Sequence, residues 1–332
     1  MKNKAASHDA AGLSRKPTGS ARQCAQAVLM VEPAAFAFNA ETASSNPMQL
    51  PSTLAASTLA GMARTESAAL RRALESEGVR VLLAEDTERP AKPDALFPNN
   101  WVSFHADGTV VLYPMLTANR RLERRDEIIQ AVCTRLGFKE RRRIDLSSEE
   151  GAGRFLEGTG SLVLDHIDRI AYACRSPRTD ESLVHEWARL MGFKAVVFEA
   201  TDAGGQAYYH TNVMLWIGSR CAMVCAEAIP AGDRKRVLSS LRASDREIIE
   251  IDRGAVAAFA GNMLELATWD EALGDATVLV MSASARSALT DTQLRLLSGC
   301  VDAMLAVPVP TIEQVGGGSV RCMLAEVPEC SE

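Results

Sequence analysis

Three residue types capable of covalent chemistry stand at the heads of short apolar runs. They are a carboxylate in Glu157-Gly158-Thr159-Gly160-Ser161, an imidazole in His210-Thr211-Asn212, and a thiol in Gly316-Gly317-Gly318-Ser319-Val320-Arg321-Cys322. A thiolate is a nucleophile, a histidine of near-neutral pKa moves protons, and a fixed carboxylate can hold substrate N–H groups in one plane. The glycines ahead of Cys322 add no packing, so they read as a turn that brings the backbone close to a ligand, with Cys322 expected on the rigid strand that follows. Taken singly, each residue has a plainer reading: a buried thiol, a solvated carboxylate, a structural histidine.

A repeat could bring such distant residues together. Five times a polar or glycine-bearing lead-in runs into an apolar stretch: Asn99-Asn100-Trp101-Val102-Ser103-Phe104, Glu157-Gly158-Thr159-Gly160-Ser161-Leu162-Val163-Leu164, His210-Thr211-Asn212-Val213-Met214-Leu215, Gly261-Asn262-Met263-Leu264-Glu265-Leu266 and Gly318-Ser319-Val320-Arg321-Cys322-Met323. From Asn99 through Glu157, His210 and Asn262 to Gly318 the steps are 58, 53, 52 and 56 residues, a near-constant period. Between these markers the same elements recur: a second strand, a helix and a third strand. The second module offers a strand at 170–173, a helix over 180–191 and a strand at 194–198; the third offers 221–226, a helix over 233–242, and 247–251. The first offers 109–113, a helix over 121–136 and a short strand near 143–146.

Strands and helices alternating along the chain place it in the α/β class. A repeat of this size either stacks as an open solenoid or closes radially, and a closed ring needs no atypical caps. Closure also makes the five lead-ins converge on one axis. The expected architecture is therefore a five-fold pseudosymmetric α/β propeller of ββαβ modules around a central active site, over residues 23–332 as a single domain, preceded by a disordered tail over 1–22. An ordinary doubly wound sheet, with these residues as mere polar strand starts, is the alternative.

Composition narrows the function. Of 332 residues 47% are hydrophobic, and the net charge is -6, enough for a large core and without the basic excess of a nucleic-acid or membrane-surface protein. The densest basic runs, Arg120-Arg121-Leu122-Glu123-Arg124-Arg125 and Arg141-Arg142-Arg143, are short, and the first is mixed with an acid. No apolar run is long enough to span a bilayer, and Lys2, Lys4, Arg15, Lys16 and Arg22 surround no apolar signal core. Eight cysteines show no paired framework, and Cys221 and Cys225, on one face of a strand, lack the further ligands of a zinc site. Reduced thiols, a cytoplasmic location, no metal and no cofactor are expected; no phosphate-cradling loop is present.

In this order, a Glu-Gly turn, a His-x-Asn strand start and a late Gly-rich cysteine on a five-module α/β chain resemble the pentein or guanidine-modifying superfamily. Its members include arginine deiminases, dimethylarginine hydrolases and amidinotransferases. The resemblance runs from about Ala27 to Val327, and Leu96-Phe97-Pro98-Asn99-Asn100-Trp101-Val102-Ser103-Phe104-His105 together with Leu156 to Asp165 look most like its citrulline-utilisation hydrolase branch. The resemblance implies that Cys322 attacks a guanidinium or ureido carbon and expels an amine, that His210 protonates the leaving amine and later activates water, and that Glu157 accepts hydrogen bonds from substrate N–H groups. It implies a small amino-acid substrate, with further copies of the chain as the only other partner in view.

Departures from the deiminase pattern bear on the substrate. Where that pattern has carboxylates that clamp a cationic guanidinium, this chain has Asn99 or Asn100 and, two residues after His210, Asn212. An amide can donate to a ureido oxygen and accept from its N–H, whereas a carboxylate against a neutral ureido group would be poorly matched. The expected reaction is citrulline to ornithine, ammonia and carbon dioxide. Arginine or dimethylarginine hydrolysis, amidino transfer, and a non-catalytic binding protein of this fold are the alternatives. Arg120 and Arg178 match two arginines that would grip the substrate α-carboxylate. The family's Glu-Gly-Gly-Asp ends here in Gly160, so the α-amino contact must come from elsewhere, with Asp94 and Asp165 as candidates. Asn262 lines the pocket or serves as a turn residue; His105, His166 and His185 read as structural.

Overall fold

A computed structural model describes residues 23–270 and 274–330; the tail expected over 1–22 lies outside the described residues. β1 (Ala27–Val31) and β2 (Arg80–Ala84) run parallel, joined through the helix Ala56–Ser76. In the next module β3 (Val102–Phe104) pairs antiparallel with β4 (Thr109–Leu112), which pairs parallel with β5 (Arg142–Asp145). The pattern repeats in β6 (Val163–Asp165), β7 (Ile170–Cys174) and β8 (Lys194–Phe198), and in β9 (Leu215–Ile217), β10 (Cys221–Val224) and β11 (Glu247–Glu250). It recurs again in β12 (Leu264–Asp270), β13 (Gly274–Ser282) and β14 (Ala303–Val307). Finally β15 (Ala325–Val327) pairs antiparallel with β1, Leu29 opposite Ala325 and Ala27 opposite Val327. The last strand thus completes the first sheet, and five three-stranded sheets form the expected pseudosymmetric pentein ring.

The central strand of each sheet lies between two others and under a helix, so it reads as a continuous apolar run: Ala27–Val31, Thr109–Leu112 and Cys221–Val224 are buried at every residue. Each crossover helix buries one stripe. In Glu181–Met191 that stripe is Leu183, Val184, Trp187, Ala188 and Met191, and the Asp180 carboxylate accepts from the Leu183 N–H at 3.0 Å as an N-cap. Apolar side chains from adjacent modules then pack as one, Tyr172 and Phe198 with Trp216 and Met223. No helix among the described residues is long and apolar enough to cross a membrane.

Two expectations need correction. The first is the place of Cys322, because the lead-ins are tight turns ahead of the strands: Pro98–Asn100, Gly158–Ser161, Thr211–Val213 and Val320–Met323 are short helical turns, and Asn262 N–H closes a turn onto Phe259 O at 2.8 Å. Cys322 therefore sits on a turn before β15 rather than on the strand. Near the axis a strand would send alternate side chains to opposite faces, whereas a turn projects a single group inward. The helix expected over 121–136 is also split, into Ala118–Arg121 and Asp126–Leu136, because Arg120 and Glu123 fold inward and are buried as a pair.

One buried ion pair ties the second module to the third. Arg246 Nη1 and Nη2 meet both oxygens of Asp165 at 2.5 and 3.0 Å, and its Nε donates to Gly218 O at 2.7 Å. Removing one partner would strand a buried charge, so Asp165→Ala should cost about 3–5 kcal/mol in urea unfolding. A loss below about 1 kcal/mol would show that module docking does not use this pair.

Candidate active site

At the axis the turns bring together Asn99, Asn100, Glu157, His210, Asn212, Asn262 and Cys322, all of them buried. Glu157 precedes the turn Gly158–Ser161. Its Oε1 accepts from Leu116 N–H at 3.1 Å, while Oε2 lies 3.0 Å from His210 Nε2, 3.3 Å from Arg178 Nη1 and 3.6 Å from Arg120 Nη1. Burial pushes the Glu157 carboxyl up, but Arg178, then His210 and Arg120, outweigh it and hold it well below the usual carboxylate range. Burial lowers His210 from its ordinary 6.5 to about 4 against the pull of Glu157, so the imidazole is neutral at neutral pH and its Nε2–H donates to the carboxylate.

Two glycines permit this approach. Gly158 adopts φ +48°, and a Cβ there would lie 2.2 Å from Asn99 O. A Cβ on Gly160 would lie 2.6 Å from both His210 Nδ1 and Asn100 Nδ2. The position where the deiminase pattern has an aspartate is filled here by the imidazole ring itself.

Arg120 fixes an ordered chain of amides. Its Nε and Nη2 donate to the two Glu123 oxygens at 2.9 Å each, and Nη1 donates to Asn100 Oδ1 at 2.9 Å. An arginine can only donate, so Asn100 must present oxygen to it and nitrogen to its other neighbour. Asn100 Nδ2 then donates to Asn99 Oδ1 at 3.0 Å, which leaves Asn99 Nδ2, wholly buried, with no acceptor. Burial raises Glu123 to about 7 against the opposing pull of Arg120.

Around the sulfur the donors are amides. Cys322 Sγ lies 3.3 Å from Asn262 Nδ2 and 3.8 Å from Asn212 Nδ2, which also donates to Thr159 O at 3.2 Å. The turn Pro98–Asn100 packs against the turn Val320–Met323. The glycine loop ahead of Cys322 is held from several sides: Tyr209 Oη and Asn46 Nδ2 donate to Gly317 O at 2.5 and 3.1 Å, and Ser319 Oγ donates to Glu313 Oε1 at 2.6 Å.

Arg120 and Arg178 are both at this site, yet neither offers a free fork to a substrate carboxylate. Arg120 is taken as above; Arg178 donates to Ser45 Oγ at 2.9 and 3.1 Å and to Thr42 O at 3.4 Å, with its guanidinium 5.2 Å from the Tyr209 ring. Of the two aspartates considered for the α-amino group, Asp165 is engaged by Arg246, away from this cluster. Asp94 is in it: Oδ2 accepts from Asn39 Nδ2 at 2.7 Å and Oδ1 is buried without a partner. Burial, opposed by Arg120, raises its pKa.

Asn39 and the segment with Thr42, Ser45 and Asn46 were not legible as site residues, since their pairings cross modules, and Glu123 was not because its pairing with Arg120 reads as an ordinary helical surface pair. Asn262 was: it occupies in the fourth module the place that Asn99, Glu157 and His210 occupy in theirs. A cavity of about 480 Å³ lies beside Gln23, His105, His166 and Arg169 and meets this cluster only at Thr159. The chemistry is assigned to the buried axial cluster and not to this cavity.

Comparison with known proteins agrees with this fold. The solved arginine dihydrolase ArgZ, from the ornithine-ammonia cycle in cyanobacteria, superposes with TM-score 0.69 and 16% identity over 91% of this chain; the chain spans 40% of that protein's length. Its isolated N-terminal domain bound to substrate gives TM-score 0.68 and 17% identity, covering 91% of this chain and 98% of that one. A dimethylarginine dimethylaminohydrolase adduct with S-methyl-L-thiocitrulline gives TM-score 0.61 and 16% identity over 90% and 98%. No curated protein matches the chain. The fold is that of the guanidine-modifying superfamily, whose dihydrolase and dimethylaminohydrolase members these structures represent. Within it, residues 32–329 match the eukaryotic N,N dimethylarginine dimethylhydrolase family, to which the chain belongs.

Two outcomes follow. Gly160→Ala should displace His210 and lower kcat at least tenfold while thermal unfolding shifts by only a few degrees; unchanged kcat would mean that His210 does not act from the observed position. Because a base must be unprotonated, and His210 sits near 4, kcat/KM should hold as pH falls through 6.5 and drop toward 4. An acid limb centred at 6.5 would assign it to another group.

Proposed function

We propose that the chain hydrolyses citrulline to ornithine, ammonia and carbon dioxide through a carbamoylated Cys322, with residues 23–332 as one catalytic domain. The observation that carries this reading is the orphaned Asn99 Nδ2. Its orientation is dictated from Arg120 through Asn100, and a buried donor without an acceptor costs about 1–3 kcal/mol. A ureido oxygen supplies an acceptor; a guanidinium carries only donors. No carboxylate is paired with Cys322 Sγ among the described residues, and Asn212 and Asn262 line it instead.

In the proposed sequence neutral His210 takes the Cys322 thiol proton. The thiolate adds to the ureido carbon, the bond to the ornithine side-chain nitrogen breaks, and His210 returns the proton to that amine. The intermediate is a cysteine S-carbamoyl ester. Water, deprotonated by His210, hydrolyses it to carbamate, which decomposes to ammonia and carbon dioxide. A carboxylate has about four acceptor positions, and those of Glu157 are shared among Leu116, His210 and the arginines, so its chief task is to hold His210 and stabilise the transient imidazolium. Asp94 Oδ1 is our candidate for the α-amino group. The α-carboxylate would be met by Arg178 or Arg120 only after one exchanges a protein partner for substrate.

A guanidino substrate is the second reading, favoured by the dimethylarginine family match and by the arginine dihydrolase neighbours. Purified protein assayed in parallel with citrulline, arginine and dimethylarginine separates the two, with Cys322→Ser as control. We expect ornithine from citrulline, lost in the control, and a loss of ten- to hundredfold in citrulline kcat/KM for Asn99→Asp, the cost of one mismatched buried hydrogen bond. Citrulline released from arginine or dimethylarginine, with none consumed, would transfer the assignment to the second reading. Product that appears only with an added acceptor amine would make the protein an amidinotransferase.

A further inference from the structure

Among the described residues Cys322 has no cationic partner. Arg321, its neighbour in sequence, turns its guanidinium away, with Nη1 on Leu324 O and Nη2 on Glu326, each at 2.8 Å. No lysine, arginine or histidine nitrogen is paired with Sγ among the described residues; the polar contacts of the sulfur are to Asn212 and Asn262. A thiolate in so buried a place needs donors, and charge-assisted hydrogen bonds are the strong kind.

Both asparagines are oriented by a backbone partner, and the nearer to the sulfur is Asn262. Its Oδ1 accepts the backbone N–H of Arg321 at 3.1 Å, so the other terminal atom must be nitrogen. One hydrogen of that Nδ2 goes to Asn212 O at 3.0 Å, and the second faces Cys322 Sγ at 3.3 Å. The acceptor on Arg321 N–H, one residue before the cysteine, also fixes the turn that carries the sulfur. Asn212 makes the longer contact and has a competing acceptor in Thr159 O.

We infer that Asn262 is a catalytic residue of this protein, donating a hydrogen bond from Nδ2 that holds the Cys322 sulfur as a thiolate and thereby takes the place of a cation. The inference rests on Cys322 being the nucleophile, as proposed above, and is independent of whether the substrate is ureido or guanidino. It matters most for a neutral substrate, which brings no positive charge of its own to assist ionisation of the thiol.

The other groups around the sulfur do not account for the same effect. Tyr209 is driven well above its ordinary value by burial and then by Cys322 itself, so it remains neutral. His210 and Glu157 pair with each other, and Glu313 is occupied by Ser319 and Ser284.

The test is Asn262→Ala, which removes the donor without adding charge, with Asn262→Asp beside it, which keeps an oxygen for Arg321 N–H but sets a carboxylate against the sulfur. Alkylation of Cys322 by iodoacetamide, followed across pH 6–9 by peptide mass spectrometry, needs no substrate. We expect the pH–rate profile of both variants to move to higher pH, the rate at pH 7 to fall at least tenfold, and kcat to fall with KM within about threefold. In the unmutated protein the Asn262 side-chain amide signals should move as Cys322 titrates and stay still in Cys322→Ser, a readout that survives if the variants fold poorly. Unchanged alkylation in a folded Asn262→Ala variant, or amide signals indifferent to Cys322, would overturn the inference. Retained activity in Cys322→Ser would instead remove the nucleophile assignment beneath it.

Discussion

The axial cluster depends on one buried carboxylate. Glu157 is held ionised in an interior that would otherwise neutralise it, because Arg178, His210 and Arg120 converge on the same oxygen. An unpaired ion at that depth costs several kcal/mol, and two arginines beside one carboxylate would leave positive charge in excess. Glu123 and Asp94 answer Arg120, and Ser45 with Thr42 O answers Arg178. The loop following β1 thus closes over the axis for an electrostatic reason: without its oxygens the second guanidinium would be half-satisfied.

From that charge pattern the amides inherit their orientation. Arg120 sets Asn100, and Asn100 sets Asn99; on the other side Arg321 N–H sets Asn262, and Asn262 engages Asn212 O. The ionic groups are gathered around Glu157, while the sulfur meets only neutral dipoles. A carboxylate beside the sulfur would attract a guanidinium but would also oppose ionisation of the thiol. The asparagines remove that conflict, at the expense of the attraction.

Much of the fold was legible because its repeat is long, regular and marked at each period by a polar lead-in, and because buried central strands read as unbroken apolar runs. The helix expected over 121–136 was misread where side-chain pairing overrides periodicity: Arg120 and Glu123 fit a helical surface pattern but are drawn inward by Asn100 and Glu157. Arg120 and Arg178 could be located at the site from sequence, while Glu123, Thr42 and Ser45, which also satisfy them, could not. Spacing reports which residues reach the axis. It does not report which of them satisfy each other there, since the pairs range from 3 to 136 residues apart, within a module and between modules.

Ring closure links the chemistry to the completion of the fold. The turn bearing Cys322 directly precedes β15, and β15 is held by pairing with β1, the first strand of the ring. Asn262 reaches the sulfur only when that turn is seated, because its oxygen is anchored on Arg321 N–H and its nitrogen on Asn212 O of a different module. Contacts of such sequence separation form late, after the loops between them have been closed. The electrostatic setting that would make Cys322 reactive is a property of the closed ring and of no single module.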